Sequence, residues 1–198
     1  MVRVVITGAE SSGKTTLAKA LAQHFSVNYA PEFAREFLEK RLKERMMEGK
    51  IDEKQLYSQQ DLITILDGQF QKEHDVLQKT IFRNTLELII CDTDSLTIKI
   101  WSEQVFKSID PILSGRIDHL FRGFKLNKKL KNIYFLCSPE GIEWQADPLR
   151  ENPTDRQRLF DIYKKTLNQY GLGYFILRGG EEERLAEAVK IINRLLNH

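Results

Sequence analysis

Between residues 8 and 15 the chain reads Gly8-Ala9-Glu10-Ser11-Ser12-Gly13-Lys14-Thr15. Glycine at both ends lets the backbone turn tightly and aim successive N–H groups inward. The positive end of a helix starting near Lys14 points the same way, so the loop is a concave site for phosphate oxygens. In such a loop Gly8 to Gly13 form the cradle and Lys14 reaches the β- and γ-phosphates of a nucleoside triphosphate as a point charge. Thr15 turns its hydroxyl to Mg²⁺, and Thr16 is expected at the α-phosphate. The spacing therefore points to ATP bound with Mg²⁺.

Three further groups could complete such a site. Cys91-Asp92-Thr93-Asp94 ends an apolar run, and a carboxylate at a strand tip beside a phosphate loop can hold Mg²⁺ directly or through water. Asp92 is the expected metal residue, while Asp94 is open between the metal site and an N-cap for a helix starting near Leu96. Glu32 and Arg35, three residues apart, share one helix face; the carboxylate could take a proton from an acceptor hydroxyl while the guanidinium holds substrate. An exposed ion pair of Arg35 with Glu32 or Glu39 would explain the same pattern. The segment from Glu140 to Arg150, continuing to Arg156 and Arg158, has no periodic pattern and carries arginines suited to offsetting charge on a transferring phosphoryl group. A lid over residues 139–158 is expected there, against the alternative of an ordinary polar surface loop. Within it, Trp144 reads as a packing anchor.

These residues need a scaffold that brings distant loops together. The phosphate loop follows the apolar run Val2–Thr7, and Ala18, Leu21, Ala22 and Phe25 continue behind it at helical spacing. Apolar runs recur at Val27–Ala30, Leu86–Cys91, Ile133–Cys137 and Tyr174–Leu177, separated by helical patterns, with a looser segment through Pro111 and Gly123. Continuous rather than alternating apolar strands imply burial on both faces. The expected fold is α/β: a P-loop NTPase of three α/β/α layers on a parallel five-stranded sheet, nucleoside/nucleotide kinase-like, in a single domain spanning 1–198. Ligands of such sheets bind at the carboxyl ends of the strands, so the loops after residues 7, 30, 91, 137 and 177 should line one site.

Composition narrows the partners. The chain has 198 residues, 41% hydrophobic and 29% charged, and its 30 basic and 28 acidic residues leave a formal net charge of +2. That balance makes no bulk electrostatic case for nucleic acid or an anionic membrane. No apolar run approaches the roughly 18 residues of a membrane span, and Arg3 interrupts the start, so a cytoplasmic protein is expected. Cys91 and Cys137 both lie in apolar strands and read as buried thiols, and His24, His74, His119 and His198 show no ligand spacing with them.

In order and spacing over roughly 180 residues the chain resembles the ribosylnicotinamide kinase domain of NadR-type proteins. The resemblance is carried by the loop with its Glu10-Ser11-Ser12, by Glu32-Phe33-Ala34-Arg35-Glu36-Phe37, by Tyr57, Ser58, Asp61 and Gln69 on a long helix, by Asp92-Thr93-Asp94, and by Trp144 through Arg150. It implies ATP-dependent phosphorylation of a small nucleoside, with Asp92 and Asp94 as metal and catalytic carboxylates. Asp61 and Gln69 would join Glu32 and Arg35 around the acceptor, and Arg150 would serve as the lid arginine. Two departures accompany it. Bifunctional relatives carry an adenylyltransferase domain before the kinase, and with the first strand at residue 2 that activity is not expected here. Pro31 stands where the family pattern has a tryptophan that stacks on the nicotinamide ring; Tyr29, Phe33 and Phe70 are the nearby aromatics that could replace it. The rival readings are a nucleotide-binding regulator or switch ATPase acting on a protein partner and, more remotely, a nucleic-acid kinase, which would need a basic groove.

Overall fold

The computed structural model describes residues 1–49, 56–83, 86–147, 149 and 154–197. Among these, five strands and seven helices alternate: β1 (Val2–Thr7), α1 (Lys14–Phe25), β2 (Tyr29–Ala30), α2 (Phe33–Met47), α3 (Asp61–Arg83), β3 (Leu88–Asp92), α4 (Ser95–Val105), α5 (Pro111–Leu126), β4 (Lys131–Cys137), α6 (Arg156–Gln169), β5 (Tyr174–Leu177) and α7 (Glu181–Leu196). The strands form one sheet in the order β2-β3-β1-β4-β5, and every pairing is parallel. β1 sits in the middle, with Val5 level with Cys91 on one side and Tyr134 on the other.

Side chains along each strand point alternately to the two faces, and both faces are covered. Val4 and Ile6 of β1, with Ile90, Phe135 and Leu177, pack under α1 and α7. Val5, with Ile89, Cys91, Tyr134 and Leu136, packs against α2 through α6. This is the three-layer α/β/α P-loop kinase-like architecture expected from the sequence. Both cysteines are buried and free.

One element departs from the expectation. The segment around Pro111 and Gly123, read as loose, is the 16-residue helix α5. Its start is fixed by Asp110, whose carboxylate accepts from the N–H groups of Ile112 and Leu113 at 2.8 and 3.1 Å, and by Pro111 in the first turn, where a missing N–H costs nothing. Gly115 and Gly123 face open space, so they weaken the helical pattern in the sequence without breaking the helix.

The loops at the carboxyl ends of β1, β3 and β4 meet along one edge. Ligands of open parallel sheets bind at this edge.

Candidate active site

The phosphate loop leaves β1 at Gly8, whose φ of 138° belongs to a region essentially reserved for glycine. A Cβ there would also stand 2.8 Å from the Cys137 carbonyl oxygen. Gly13, left-handed at φ 79°, is the N-cap of α1, and no side chain caps that helix end. The first N–H groups of α1 are thus left to face the loop's concavity. Ser12 ties the loop internally through Oγ to the Ala9 carbonyl at 2.8 Å, and the Lys14 ammonium donates to the same carbonyl at 2.7 Å.

A cavity of about 850 Å³ opens over this loop and extends between α2, α4 and α6. One end is lined by residues 8–17 and by the first turn of α7, including Glu181, Glu182 and Arg184. The other end has a different character. Leu38 of α2, Ile100 and Trp101 of α4, and Leu159 and Tyr163 of α6 form an apolar, partly aromatic wall, with Thr97 among them. Tyr57 packs behind Trp101 at 4.7 Å between ring centroids. Glu32 and Arg35 lie between the two ends.

Asp92 ends β3 and is 1% exposed. Burial pushes its carboxyl above the usual range, and the Thr15 hydroxyl and the Lys14 charge oppose the shift. Its Oδ1 has no hydrogen-bond partner among the described residues. A buried carboxylate oxygen left unsatisfied costs about 1–3 kcal/mol or more; beside the Thr15 hydroxyl it fits a hard divalent cation, which takes oxygen ligands. Half-buried Glu32 is likewise pushed up by burial, with Lys14 opposing and Asp92 adding to the rise. The sequence-derived Lys14, Thr15, Glu32 and Asp92 therefore converge.

Asp94 does not join them. Its Oδ1 accepts from the Leu96 N–H at 2.9 Å as the N-cap of α4. Its Oδ2 accepts from the Tyr134 hydroxyl at 2.6 Å and from Arg3 at 3.3 Å. Arg3 in turn donates to Glu73 at 2.6 Å and lies over the Phe124 ring at 4.4 Å. Of the two readings open in the sequence, the cap is the one the geometry satisfies, and the carboxylate is turned into a buried cluster away from the cavity.

Gln69 and Asp61 also serve the scaffold. Buried Gln69 accepts from the Phe33 N–H at 2.9 Å and donates to the Thr93 carbonyl at 3.5 Å, fastening α3 to the start of α2 and to the turn after β3. Asp61 closes the start of α3 by accepting from Ser58 N–H at 2.8 Å and pairing with Arg41 at 2.8 Å, and it is not among the cavity's lining residues. Arg35 lines the cavity, yet it pairs with Asp147 at 2.9 Å and with Glu39 at 3.4 Å. Of Tyr29, Phe33 and Phe70, none lines the cavity.

The segment after β4 is fastened to the phosphate loop. Ser11 Oγ donates to the Glu143 carbonyl at 3.3 Å and accepts from the Gln145 N–H at 3.0 Å. Arg156 donates to the carbonyls of Ser11 at 3.2 Å and Ile142 at 2.8 Å and lies over Trp144 at 5.9 Å. Arg150, the arginine expected at the reacting phosphoryl group, lies outside the described residues.

Three cavity residues escape a reading of the sequence. Trp101 and Tyr163 read as core positions of helices, because nothing in a single sequence distinguishes an apolar side chain packed on a neighbour from one facing an empty wall. Arg184 sits inside an amphipathic helix where charge normally means solvent, yet it is 2% exposed. The double glycine at 179–180 immediately before it was the available signal, since it lets α7 begin close to the loops.

Sheet order and loop together define a three-layer α/β/α P-loop kinase-like fold. An AAA domain family model matches residues 3–184, and the chain belongs to that family. No curated protein matches the sequence. Among solved structures the chain is similar to NadR protein in complex with NR (TM-score 0.69, 17% identity, 99% of this chain and 52% of that one). It is also similar to NadR protein in complex with NAD and AMP-PNP (TM-score 0.64, 18% identity, 97% and 48%). A third similar structure is deoxyadenosine kinase from M. mycoides with bound dATP (TM-score 0.56, 14% identity, 96% and 99%). The chain thus spans about half the length of the NadR chains, and the likeness is one of fold. No helix among the described residues is long and apolar enough to cross a membrane.

Proposed function

We propose that the protein is an ATP-dependent kinase of a small nucleoside-like acceptor, with ribosylnicotinamide as the acceptor to test first. The observation that carries this reading is one continuous cavity that joins the phosphate loop to a walled compartment with aromatic lining, with Glu32 at the junction. A regulator acting on a protein partner needs an exposed surface in that place, whereas this compartment is shaped for a small molecule.

The roles follow from position. Lys14 and the loop N–H groups hold the triphosphate and take up charge as it shifts during transfer. Thr15 and Asp92 would hold Mg²⁺, which would supply positive charge against that on the phosphate oxygens. Asp94 is assigned the cap and no step in catalysis. Glu32 accepts the proton of the acceptor hydroxyl as its oxygen bonds to the γ-phosphorus; the bond from that phosphorus to the β,γ-bridging oxygen breaks, and ADP leaves. Burial raises the Glu32 carboxyl, which strengthens it as a base provided it stays ionised at the working pH. Arg35 is held by Asp147 and Glu39, so it positions the α2 wall and does not offer an unpaired charge to an anionic acceptor. Trp101, backed by Tyr57, supplies the flat face for the acceptor's ring in place of the tryptophan that Pro31 replaces. Glu32, between the two ends of the cavity, adds a negative charge that suits a cationic pyridinium ring.

The test is ATP-dependent phosphorylation of a panel containing ribosylnicotinamide, the common nucleosides and their monophosphates, with Lys14→Ala as control. Transfer to one nucleoside, abolished in a folded Lys14→Ala variant, is the expected result. Transfer to another nucleoside but not to ribosylnicotinamide would retain the kinase and remove the nicotinamide assignment. ATP turnover indifferent to every small acceptor would favour the regulator.

A further inference from the structure

We infer that Arg184 is a positioning residue of the nucleotide site, acting through its contact with the phosphate loop. Its guanidinium is fully inside the protein and ties three loops at the carboxyl edge of the sheet. Nη1 donates to the Ser12 carbonyl at 2.7 Å, Nη2 to the Ser138 carbonyl at 2.7 Å, and Nε to the Gly179 carbonyl at 2.8 Å. These carbonyls belong to the turns after β1, β4 and β5. A planar fork holds these acceptors with donors on three separate nitrogens in fixed directions, whereas a lysine's three donors radiate from a single nitrogen on a flexible stem.

Two physical consequences meet at the ligand. The first is geometric. The bond to Ser12 fixes the peptide that precedes Gly13, and Gly13 is the left-handed N-cap whose orientation aims the first N–H groups of α1 at the phosphates. A Cβ on Gly13 would stand 3.6 Å from Arg184 Nη1, so the guanidinium lies directly against the loop. The second is electrostatic. Among the described residues its three bonds go to neutral carbonyls and none to a carboxylate. A buried cation is costly unless it is paired, and in a low-dielectric interior its field reaches further than in water. The charge lies against the loop at the phosphate end of the cavity, where a triphosphate would be its natural counter-ion, additional to Lys14. Buried Cys137 is in the same field: its thiol is pushed up to about 11 by burial, with the Arg184 and Lys14 charges acting against the rise.

Arg184 thus combines a scaffold, which aims the loop amides, with a fixed positive charge behind them. The inference rests on the phosphate-loop reading and adds to it a residue outside the Gly8–Thr16 motif.

Calorimetric ATP binding with Arg184→Gln and Arg184→Lys tests it, with near-ultraviolet circular dichroism to check that each variant is folded. Arg184→Gln should bind ATP at least tenfold more weakly, with the dependence of affinity on salt reduced and the acceptor KM unchanged. Arg184→Lys, which keeps the charge and loses the three-way fork, should recover much of the loss and remain two- to fivefold below the wild type. Wild-type ATP affinity in folded Arg184→Gln overturns the assignment. So does an equal loss in both variants with an unaltered salt dependence, because the charge would then contribute nothing. If the glutamine variant fails to fold, the lysine variant decides: a two- to fivefold loss supports the assignment and unchanged affinity overturns it. Absence of ATP binding to the wild-type protein would instead remove the phosphate-loop reading itself.

Discussion

Asp92→Asn should make the protein more stable and less active at the same time. The carboxylate lies at the tip of a central strand, 1% exposed, with Oδ1 unpartnered among the described residues and its proton affinity raised by burial. Replacing the charge with an amide of the same shape retains an acceptor for Thr15 and removes the desolvation penalty, which is several kcal/mol for a buried ion before compensation. Lys14 and Thr15 offset part of that penalty, so a net gain of about 1 kcal/mol is expected. For a chain of this size that corresponds to a melting temperature about 2–4 °C higher.

The sign depends on pH. A raised carboxylate binds its proton more tightly in the folded state, so stability falls as pH rises from the usual carboxylate range through the folded value, and above it the deficit is complete. Above that window Asn should be the more stable variant, and well below it the two should converge. The catalytic effect is opposite: losing a charged oxygen ligand should lower kcat by about 100-fold, equivalent to ~3 kcal/mol of transition-state stabilisation. Differential scanning calorimetry from pH 4 to 8 and initial rates against Mg²⁺ concentration read both effects. Unchanged kcat and unchanged Mg²⁺ dependence, with a lower melting temperature, would refute the assignment of Asp92 to the metal.

Asp94→Asn should do the reverse: it strips a charge from the Arg3 and Tyr134 cluster and weakens the cap of α4, costing about 2 kcal/mol and a melting temperature lower by roughly 4–8 °C, with ATP affinity unchanged in the folded fraction. Trp101→Ala should raise the acceptor KM about tenfold or more while leaving the KM for ATP in place, since it removes a ring face at the end of the cavity remote from the phosphate loop. With Glu32 as the base, kcat/KM should rise with pH along a limb centred above the ordinary carboxylate range, because the raised group must first ionise, and Glu32→Gln should abolish that limb; a profile flat through the weakly acidic region would exclude the role.

What the sequence discloses here tracks how local the physics is. The phosphate loop is legible because its function needs particular residue types at consecutive positions: Gly8 and Gly13 for backbone conformations that other residues resist, Lys14 for charge, Thr15 for a hydroxyl. The sheet is legible because burial on both faces leaves continuous apolar runs. Asp92 and Asp94 differ for a reason beyond the reach of adjacency. Two residues apart in extended chain, their side chains should share a side, but Thr93 turns the backbone at φ 68°, and Arg3 and Tyr134, far away in sequence, claim the second carboxylate. The family resemblance implies Gln69 and Asp61 as acceptor residues, whereas their hydrogen bonds fasten α3 to α2 and to the turn after β3.

Arg184 is the extreme case, since its three partners come from turns at residues 12, 138 and 179 and only the assembled sheet brings them within one guanidinium's reach. A motif marks where a ligand is gripped, whereas the groups that aim the grip come from wherever the topology converges. The same logic explains why the acceptor is harder to read than the donor. On the proposed reading, triphosphate recognition falls largely to backbone N–H groups in one loop, while the acceptor's wall would be assembled from single side chains on α2, α4 and α6. The ring face that the family pattern supplies from position 31, which lies outside the cavity lining, comes instead, on that reading, from Trp101 of α4, and such an exchange leaves no local trace in the sequence.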